Sequence, residues 1–359
     1  MYELISAVNP RDAHFAAFSF WHLVLYALDF SKDRLIRRLP KCPENLHICK
    51  HKAETFFSEG LNGVLGFNLS QPDIPAAWNQ IDLTRLKGTL LVVGAPDVGK
   101  STFSHYLFQS VQASAARVAY LDGDPGQGSL GPPTTMTLSL GAIGNDDSPT
   151  SSQVFRVFVG AVSPTGHMLQ VLVGAGRLVQ AAYEAGAQVV IYDTTGLIDP
   201  VQGGAHLKQS KIDLLRPSAL FAIQLREELE YLLRPLRLSS RTHVIEMRPS
   251  PAVQWRDPPA RRAYRAERFA RYFADAHSIS LNWAQKAVFP APDFSLNRLV
   301  ALEDGEGFTL GLGIVSKFER KSGQVTLLTP LKPLHNIDAI HVGDVEVDPQ
   351  TFEDRPISS

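Results

Sequence analysis

Residues 94–101 read GAPDVGKS. They follow an apolar run, GTLLVV at 88–93, and open a segment whose apolar side chains have helical spacing, KSTFSHYLFQSVQ at 100–112. The spacing Gly-x4-Gly-Lys-Ser between a strand and a helix is typical of a phosphate-binding loop, because the glycines let the backbone curl until its N–H groups face phosphate oxygens. The stretch therefore predicts that a nucleotide is held here by its phosphates.

The loop predicts a specific role for each of its side chains. Lys100 would bridge the β and γ phosphates of the nucleotide, and the Ser101 hydroxyl would ligate Mg²⁺. We expect the loop and the first helical turn to bind ATP through Gly94, Ala95, Pro96, Asp97, Val98, Gly99, Lys100, Ser101 and Thr102.

Apolar runs of strand length alternate with helical patterns over the middle of the chain, which predicts a parallel sheet covered by helices on both faces. The predicted strands are residues 88–94, 117–123, 153–162, 187–196 and 218–224, and the predicted helices are residues 100–112, 167–186 and 226–236. Short alternating runs broken by Gly and Asp, at 307–331 and 338–348, predict a small antiparallel β module. The fold class is thus an α/β P-loop NTPase with a mostly parallel sheet.

The same patterns suggest three parts. Residues 1–70 form an N-terminal extension of unassigned role, residues 71–286 the P-loop domain, and residues 287–359 the small C-terminal β domain. Prolines between residues 289 and 297 interrupt the periodic pattern near the second boundary.

Two acids lie at the end of the second predicted strand, in the sequence LDGDPGQ at 121–127. Because ligands bind at the carboxyl ends of parallel strands, we expect Asp122 and Asp124 to face the phosphate loop. One acid can hold a hydrated metal ion while the other accepts a proton from an incoming hydroxyl. In the alternative, both serve only Mg²⁺, as in a hydrolytic switch.

Arginine is concentrated in residues 248–275, where Pro258 and Pro259 are placed to begin a helix. On that helix Arg261, Arg265 and Arg268 share one face. This pattern favours a lid that surrounds a transferring phosphoryl group with guanidinium groups, which bind phosphate oxygens in bidentate fashion. The same face could hold the phosphates of a nucleic acid, and the alternative is a solvated basic face.

Composition limits the remaining possibilities. The 359 residues carry a formal net charge of −1, which argues against a globally basic nucleic-acid coat, and two cysteines favour a reducing cytoplasm. The apolar run Phe15–Phe30 is short for a membrane span, so we expect a buried or partner-facing helix and no membrane association. Cys42, His47, Cys49 and His51 lack the paired spacing of a zinc site, and we expect a structural or incidental role.

Taken in order, these motifs resemble the polynucleotide 5′-hydroxyl kinases, a family that includes the RNA kinase of the eukaryotic pre-mRNA cleavage complex and shorter archaeal and bacterial relatives. The resemblance spans roughly residues 75–350 and rests on GAPDVGKS, LDGDPGQ, YDTTGLI at 192–198 and the arginine-rich segment. YDTTGLI is similar to the family's Thr-x-Gly-Trp clasp, with Thr194 and Gly196 matching and Leu197 in place of the tryptophan. The lid spacing is matched by Arg256, Arg261, Arg262 and Arg265.

The resemblance implies an ATP-dependent kinase that phosphorylates the 5′-hydroxyl of RNA, or of DNA. Asp124 would be the general base, and Ser101 and Asp122 would place Mg²⁺. The implied catalytic set is Lys100, Asp124, Thr194, Arg256, Arg261 and Arg265. For His167, which follows SPTG, a cap or packing role is expected.

Two other functions stay open. The protein could hydrolyse ATP to act on a protein partner, or it could bind ATP as a structural element of a complex. Hydrolysis that is unaffected by any 5′-hydroxyl oligonucleotide would favour the first of these. The set of lid arginines and Asp124 argues against the second, because a scaffold does not need them.

Overall fold

The computed structural model of the chain describes residues 75, 78, 81–82, 86–113, 117–141, 153–332 and 336–357. The predictions for the extension 1–70, for the apolar run Phe15–Phe30 and for Cys42, His47, Cys49 and His51 lie outside these residues. Among the described helices, none combines the length and the apolar character that crossing a bilayer requires.

The first sheet has seven strands in the order β4-β3-β2-β5-β1-β6-β7. They are β1 (Gly88–Gly94), β2 (Val118–Gly123), β3 (Thr135–Leu140), β4 (Gln153–Phe158), β5 (Val189–Thr194), β6 (Ala219–Ile223) and β7 (His243–Met247). The five strands from β2 to β7 in this order are parallel, whereas β3 runs antiparallel to both of its neighbours, β2 and the edge strand β4. The predicted mostly parallel α/β sheet is confirmed.

Helices cover both faces of this sheet. They are α1 (Lys100–Gln112), α2 (Met168–Glu184), α3 (Gly204–Leu215) and α4 (Glu230–Arg237), whereas a further helix, α5 (Pro258–Tyr272), follows β7 and packs with the second sheet described below. The α1 side chains Phe103 and Leu107 pack on one face, and α2, α3 and α4 pack on the other. Because helices bury both faces, β1, β2, β5 and β6 are apolar almost throughout.

A second seven-stranded sheet follows, largely antiparallel, in the order β14-β13-β10-β11-β12-β8, with β9 parallel to β13. Its strands are β8 (His277–Asn282), β9 (Ala287–Phe289), β10 (Arg298–Glu303), β11 (Thr309–Glu319), β12 (Gln324–Thr329), β13 (Ala339–Val347) and β14 (Asp354–Pro356). A short 3-10 helix, Trp283–Gln285, joins β8 to β9. Phe269 of α5 packs into the core of this sheet.

The sequence-based elements differ from the structure at several places. The strand expected at 153–162 is β4, which ends at Phe158 and pairs antiparallel with β3. The sequence patterns do not predict β3 or α3. The helix expected at 226–236 begins at Glu230, because Glu228 binds the backbone amides of Leu225 and Arg226 in a turn. Strand β8 of the second sheet lies before residue 287, where the C-terminal β domain is predicted to begin. The division into domains stays a prediction.

Candidate active site

The phosphate loop lies where β1 ends, between its parallel neighbours β5 and β6. A Cβ on Gly94 would lie 2.6 Å from the carbonyl oxygen of Ile223, so only glycine fits this close approach. Gly99 has a φ of 89° and leads directly into α1. The local signals read from the sequence thus produce the expected strand, loop and helix.

Lys100 lies inside the loop. Its ammonium nitrogen donates a 2.7 Å hydrogen bond to the carbonyl oxygen of Ala95, and the residue is 7% exposed. Burial lowers the pKa of Lys100, while the carboxylates of Asp193 and Asp124 oppose that effect. The loop therefore encloses a cation that is balanced by two nearby acids.

Ser101, one residue further along, contacts an acid outside the set of site residues predicted from the sequence. Its hydroxyl donates a 2.5 Å hydrogen bond to Oδ2 of Asp193, on β5. Burial raises the pKa of Asp193 to about 6, against the opposing effect of Lys100. The other carboxylate oxygen, Oδ1, is buried without a hydrogen-bond partner.

A signal for Asp193 was present in the sequence. The residue lies within the predicted buried strand 187–196, directly before Thr194. In the structure it is next to last in β5, which pairs with β1 so that Asp193 is level with Val92. An acid at the carboxyl end of a strand beside the phosphate-loop strand lies where ligands bind.

The two acids of LDGDPGQ do different things. Both carboxylate oxygens of Asp122 accept hydrogen bonds from backbone amides of the turn that follows β2. Oδ1 accepts from the amide of Asp124 at 3.3 Å, and Oδ2 accepts from the amides of Ser129 and Leu130 at 2.6 and 2.9 Å. Burial and the nearby Asp193 raise the pKa of Asp122 to about 7. The structure thus uses Asp122 to hold the turn and brings Asp193 to Ser101.

Asp124 comes directly after Gly123, the last residue of β2. The rule that residues two apart on a strand point to the same side therefore does not apply to Asp122 and Asp124. Its Oδ1 accepts hydrogen bonds from the amides of Gly126 and Gln127 at 2.9 and 3.0 Å. These bonds fix the carboxylate beside the phosphate loop, where it lines the same cavity as Lys100 and Ser101.

The clasp begins where β5 ends. The Thr194 hydroxyl donates to the carbonyl oxygen of Val92 at 2.7 Å and accepts from the ammonium group of Lys208 at 2.7 Å. Lys208 also donates to the carbonyl oxygen of Thr195 at 2.5 Å. Burial holds the pKa of this fully buried lysine well below its usual range. The Thr194 hydroxyl therefore anchors the clasp to β1 and α3.

Gly196 brings the clasp against the phosphate loop. A Cβ at this position would lie 2.8 Å from both the nitrogen and the Cα of Pro96. Leu197, which stands in place of the family's tryptophan, lines the cavity and packs partly on the core.

The lid helix α5 begins as predicted, with Pro258 and Pro259 at its start and the Asp257 carboxylate accepting a 2.8 Å hydrogen bond from the amide of Ala260. Arg261 donates to Asp97 of the phosphate loop at 2.6 Å, and Arg256, just before the helix, donates to Asp97 at 3.1 Å. The lid is therefore joined directly to the loop.

Further along the same face of α5, the arginines contact other parts of the chain. Arg265 forms two hydrogen bonds with Asp354 of β14, at 2.8 and 3.0 Å. Arg268 donates to the carbonyl oxygens of Ser129 and Gly131, beside the turn that Asp122 holds. A stripe with this many specific partners is not the solvated basic face of the alternative interpretation.

These elements line one open cavity of about 890 Å³. Its lining contains every residue of the expected catalytic set: Lys100, Asp124, Thr194, Arg256, Arg261 and Arg265. It also contains Pro96, Asp97, Gly99, Ser101 and Thr102 of the expected nucleotide contacts, whereas Gly94, Ala95 and Val98 shape the loop behind it. Asp122 is outside this lining. His167 pairs through Nε2 with Asp344 at 2.9 Å and is also outside it.

Known proteins with similar sequences share one name. A polyribonucleotide 5′-hydroxyl-kinase of Thermococcus kodakarensis is 29% identical over an alignment of 314 residues, and the match covers 72% of this chain and 88% of that protein. A polyribonucleotide 5′-hydroxyl-kinase of Pyrococcus horikoshii is 24% identical over an alignment of 345 residues, and the match covers 80% of this chain and 94% of that protein. The predicted family resemblance is confirmed.

The fold is also found in a solved structure. A chain in the structure of the wild-type Clp1p–Pcf11p complex superposes with a TM-score of 0.56 at 14% identity, covering 84% of this chain and 80% of that one. The family model for the mRNA cleavage and polyadenylation factor CLP1 P-loop matches residues 94–275, a little more than half of the chain. Because that match contains the phosphate loop, the Asp124 turn, the clasp and the lid, the chain belongs to the CLP1 P-loop family.

Proposed function

We propose that this protein is an ATP-dependent polynucleotide 5′-hydroxyl kinase that transfers the γ-phosphate of ATP to the 5′-hydroxyl of RNA. The observation that carries the proposal is the single cavity in which the Lys100 ammonium, the Asp124 carboxylate and three lid arginines meet. Phosphoryl transfer depends mainly on positioning and charge stabilisation, and this set supplies both. The names of the archaeal relatives support RNA as the acceptor.

The nucleotide fits the loop. The cavity of about 890 Å³ is within the usual range for ligand sites of this kind. The loop amides and the start of α1 would hold the phosphates, and Lys100, already buried beside Ala95, would neutralise charge on the β and γ groups.

The residues beside Lys100 also fit Mg²⁺. A hydroxyl and a carboxylate are oxygen ligands of the type this ion prefers, and Oδ1 of Asp193 is buried without a partner. We therefore propose Ser101 and Asp193 as the residues that hold it, with Asp122 supporting the neighbouring turn. When bound, Mg²⁺ would neutralise charge on the phosphate oxygens.

Asp124 is the proposed general base. Hydrogen bonds from the Gly126 and Gln127 amides to Oδ1 fix its orientation, so Oδ2 is the oxygen that we assign to the acceptor's proton. The carboxylate takes this proton as the 5′-oxygen attacks the γ-phosphorus and ADP leaves. In this assignment Thr194 acts by fixing the clasp at the end of β5.

The lid arginines complete the site. Arg256, Arg261 and Arg265 line the cavity from the side of α5 and would stabilise charge on the transferring phosphoryl group. A closed lid would also exclude water, which would otherwise take the place of the acceptor. A cytoplasmic location, supported by the presence of only two cysteines, is part of the same proposal.

The experiment is transfer of label from γ-labelled ATP to matched 5′-hydroxyl RNA and DNA oligonucleotides by the full chain. We expect label on RNA with the wild type, and a fall in turnover of about 10²- to 10⁴-fold in Asp124→Asn with ATP binding retained. Asp213→Asn, an exposed acid on α3, is the matched control and should transfer normally. If ATP were consumed while every oligonucleotide stayed unlabelled, the protein would be an ATPase and the proposal would be wrong.

A further inference from the structure

The phosphate loop contains an acid that the reaction described above does not use. Asp97 lies between Pro96 and Val98 with a φ of 58°, and its side chain is 5% exposed. Oδ1 accepts from Nε of Arg256 at 3.1 Å. Oδ2 accepts from the backbone amide of Arg256 at 3.1 Å and from Nη2 of Arg261 at 2.6 Å.

An acid at this position is electrostatically unfavourable in a site for ATP. A carboxylate that lines the cavity for a polyphosphate repels the ligand, and the repulsion is strongest where water is scarce. Burial would raise the pKa of Asp97, but the hydrogen bonds from Arg256 and Arg261 hold it below its ordinary value. The acid therefore stays ionised, so the presence of a negative charge in a site for ATP requires an explanation.

The two arginines remain able to bind phosphate while they are joined to Asp97. A guanidinium group has five N–H donors, and Arg256 uses only its Nε on the carboxylate. Arg261 uses Nη2, and its own Nε is buried without a hydrogen-bond partner. Two cations on one anion also leave a net positive charge facing the cavity.

We propose that Asp97 is a positioning residue that holds Arg256 and Arg261 in place before ATP binds, so that their remaining donors face the transferring phosphoryl group. The inference rests on the proposed kinase function and deepens it. Oriented donors stabilise a transition state without having to reorganise during the reaction, which is why a fixed carboxylate behind them increases turnover. It also connects lid closure to the loop that holds the nucleotide.

The competing explanation is a latch. In that case Asp97 would occupy the arginines only until ATP arrives, and the γ-phosphate would displace it. The two explanations predict opposite effects of removing the charge, because a latch competes with ATP whereas a positioning residue supports the bound state.

The test uses Asp97→Asn in the full chain. Asparagine has the same shape and tolerates a positive φ, so the loop conformation is retained. The matched control is Glu267→Gln, which makes the same change from acid to amide on the lid helix at an exposed pair with Arg271, 3.5 Å apart.

The first readout is amide hydrogen exchange without nucleotide, which is independent of any activity. We expect faster exchange at the Arg256 amide and along α5 in Asp97→Asn, with the control unchanged. The second readout is the kinetics of label transfer. Turnover should fall by about tenfold or more while KM for ATP changes less, and Asp97→Glu should recover part of the loss.

Unchanged exchange in Asp97→Asn would overturn the proposal, as would faster exchange with normal turnover. Tighter ATP binding with increased turnover would establish the latch instead. If the wild type labelled no oligonucleotide, the kinase function would fail, and the exchange measurement would still show whether Asp97 holds the lid.

Discussion

The Ser101 hydroxyl and the Asp193 carboxylate are joined by a 2.5 Å hydrogen bond, although 92 residues separate them in the chain. Ser101 comes from the first turn of α1 and Asp193 from the end of β5, and they meet because β5 pairs with β1. A hydroxyl and a carboxylate hold Mg²⁺ in phosphate-loop proteins, and this contact is the basis of the metal site proposed above.

The first prediction separates Asp193 from Asp122. Asp193→Asn removes a proposed metal ligand, so the Mg²⁺ concentration for half-maximal transfer should rise by about tenfold or more. Asp122→Asn should leave that concentration unchanged and lower the free energy of unfolding by about 1–3 kcal/mol, because its carboxylate accepts three amide hydrogen bonds. Rates across a Mg²⁺ titration, with urea unfolding beside them, measure both. The reverse pattern would restore the metal role predicted for Asp122 from the sequence.

The second prediction concerns Arg261. Arg261→Ala should reduce turnover by about a thousandfold, because the guanidinium that lines the cavity no longer stabilises the phosphoryl group. Arg271→Ala, on the same helix but exposed and paired with Glu267 at 3.5 Å, is the control and should retain turnover. Single-turnover label transfer at saturating ATP measures the difference. Equal losses in the two variants would show that α5 acts through general charge rather than as a shaped lid.

The third prediction tests the contact between the clasp and the loop. In Gly196→Ala the new Cβ would lie 2.8 Å from backbone atoms of Pro96, so the loop must move and ATP affinity should fall by about tenfold or more. Gly305→Ala is the control, because a Cβ there meets no atom within 4 Å. Calorimetric titration with ATP measures both variants. Unchanged affinity in Gly196→Ala would mean that the clasp and the loop can separate without loss of binding.

The fourth prediction concerns Lys211, which is fully buried 4.8 Å from the ring of Tyr192, with its ammonium nitrogen unpartnered among the described residues. Burial lowers the pKa of Lys211 to about 7 from 10.5. Between these values the unfolded chain binds a proton that the folded chain does not, so this lysine makes stability increase as pH rises from about 7 to 10.5.

Lys211→Met should therefore stabilise the protein at pH 7 and below, and the gain should shrink as pH rises towards 10. Comparing each variant with the wild type at several pH values removes the contributions of other groups. Melting temperatures provide the measurement, with Lys321→Met, an exposed lysine, as the control. A gain that is the same at every pH would show that Lys211 is charged in the folded protein throughout.

Much of the first sheet could be predicted because its strands are continuous apolar runs. β1, β2, β5 and β6 are buried on both faces, and their composition shows it. β3 was not predicted, since Thr137 and Ser139 interrupt the apolar run although both are buried. Its antiparallel pairing with β2 and β4 depends on the path of the segments that connect these strands, and no apolar pattern within β3 indicates that path.

The sequence by itself determined the phosphate loop, the Asp124 turn and the start of the lid helix, because their signals lie within a few residues of each other. Gly99 before Lys100, and Asp257 before Pro258, act on backbone immediately beside them. Only the tertiary structure decided that Asp193 rather than Asp122 contacts Ser101, and that Arg261 reaches Asp97 across 164 residues. These pairings depend on strand order and helix packing, which are set by burial of the whole core rather than by any local pattern.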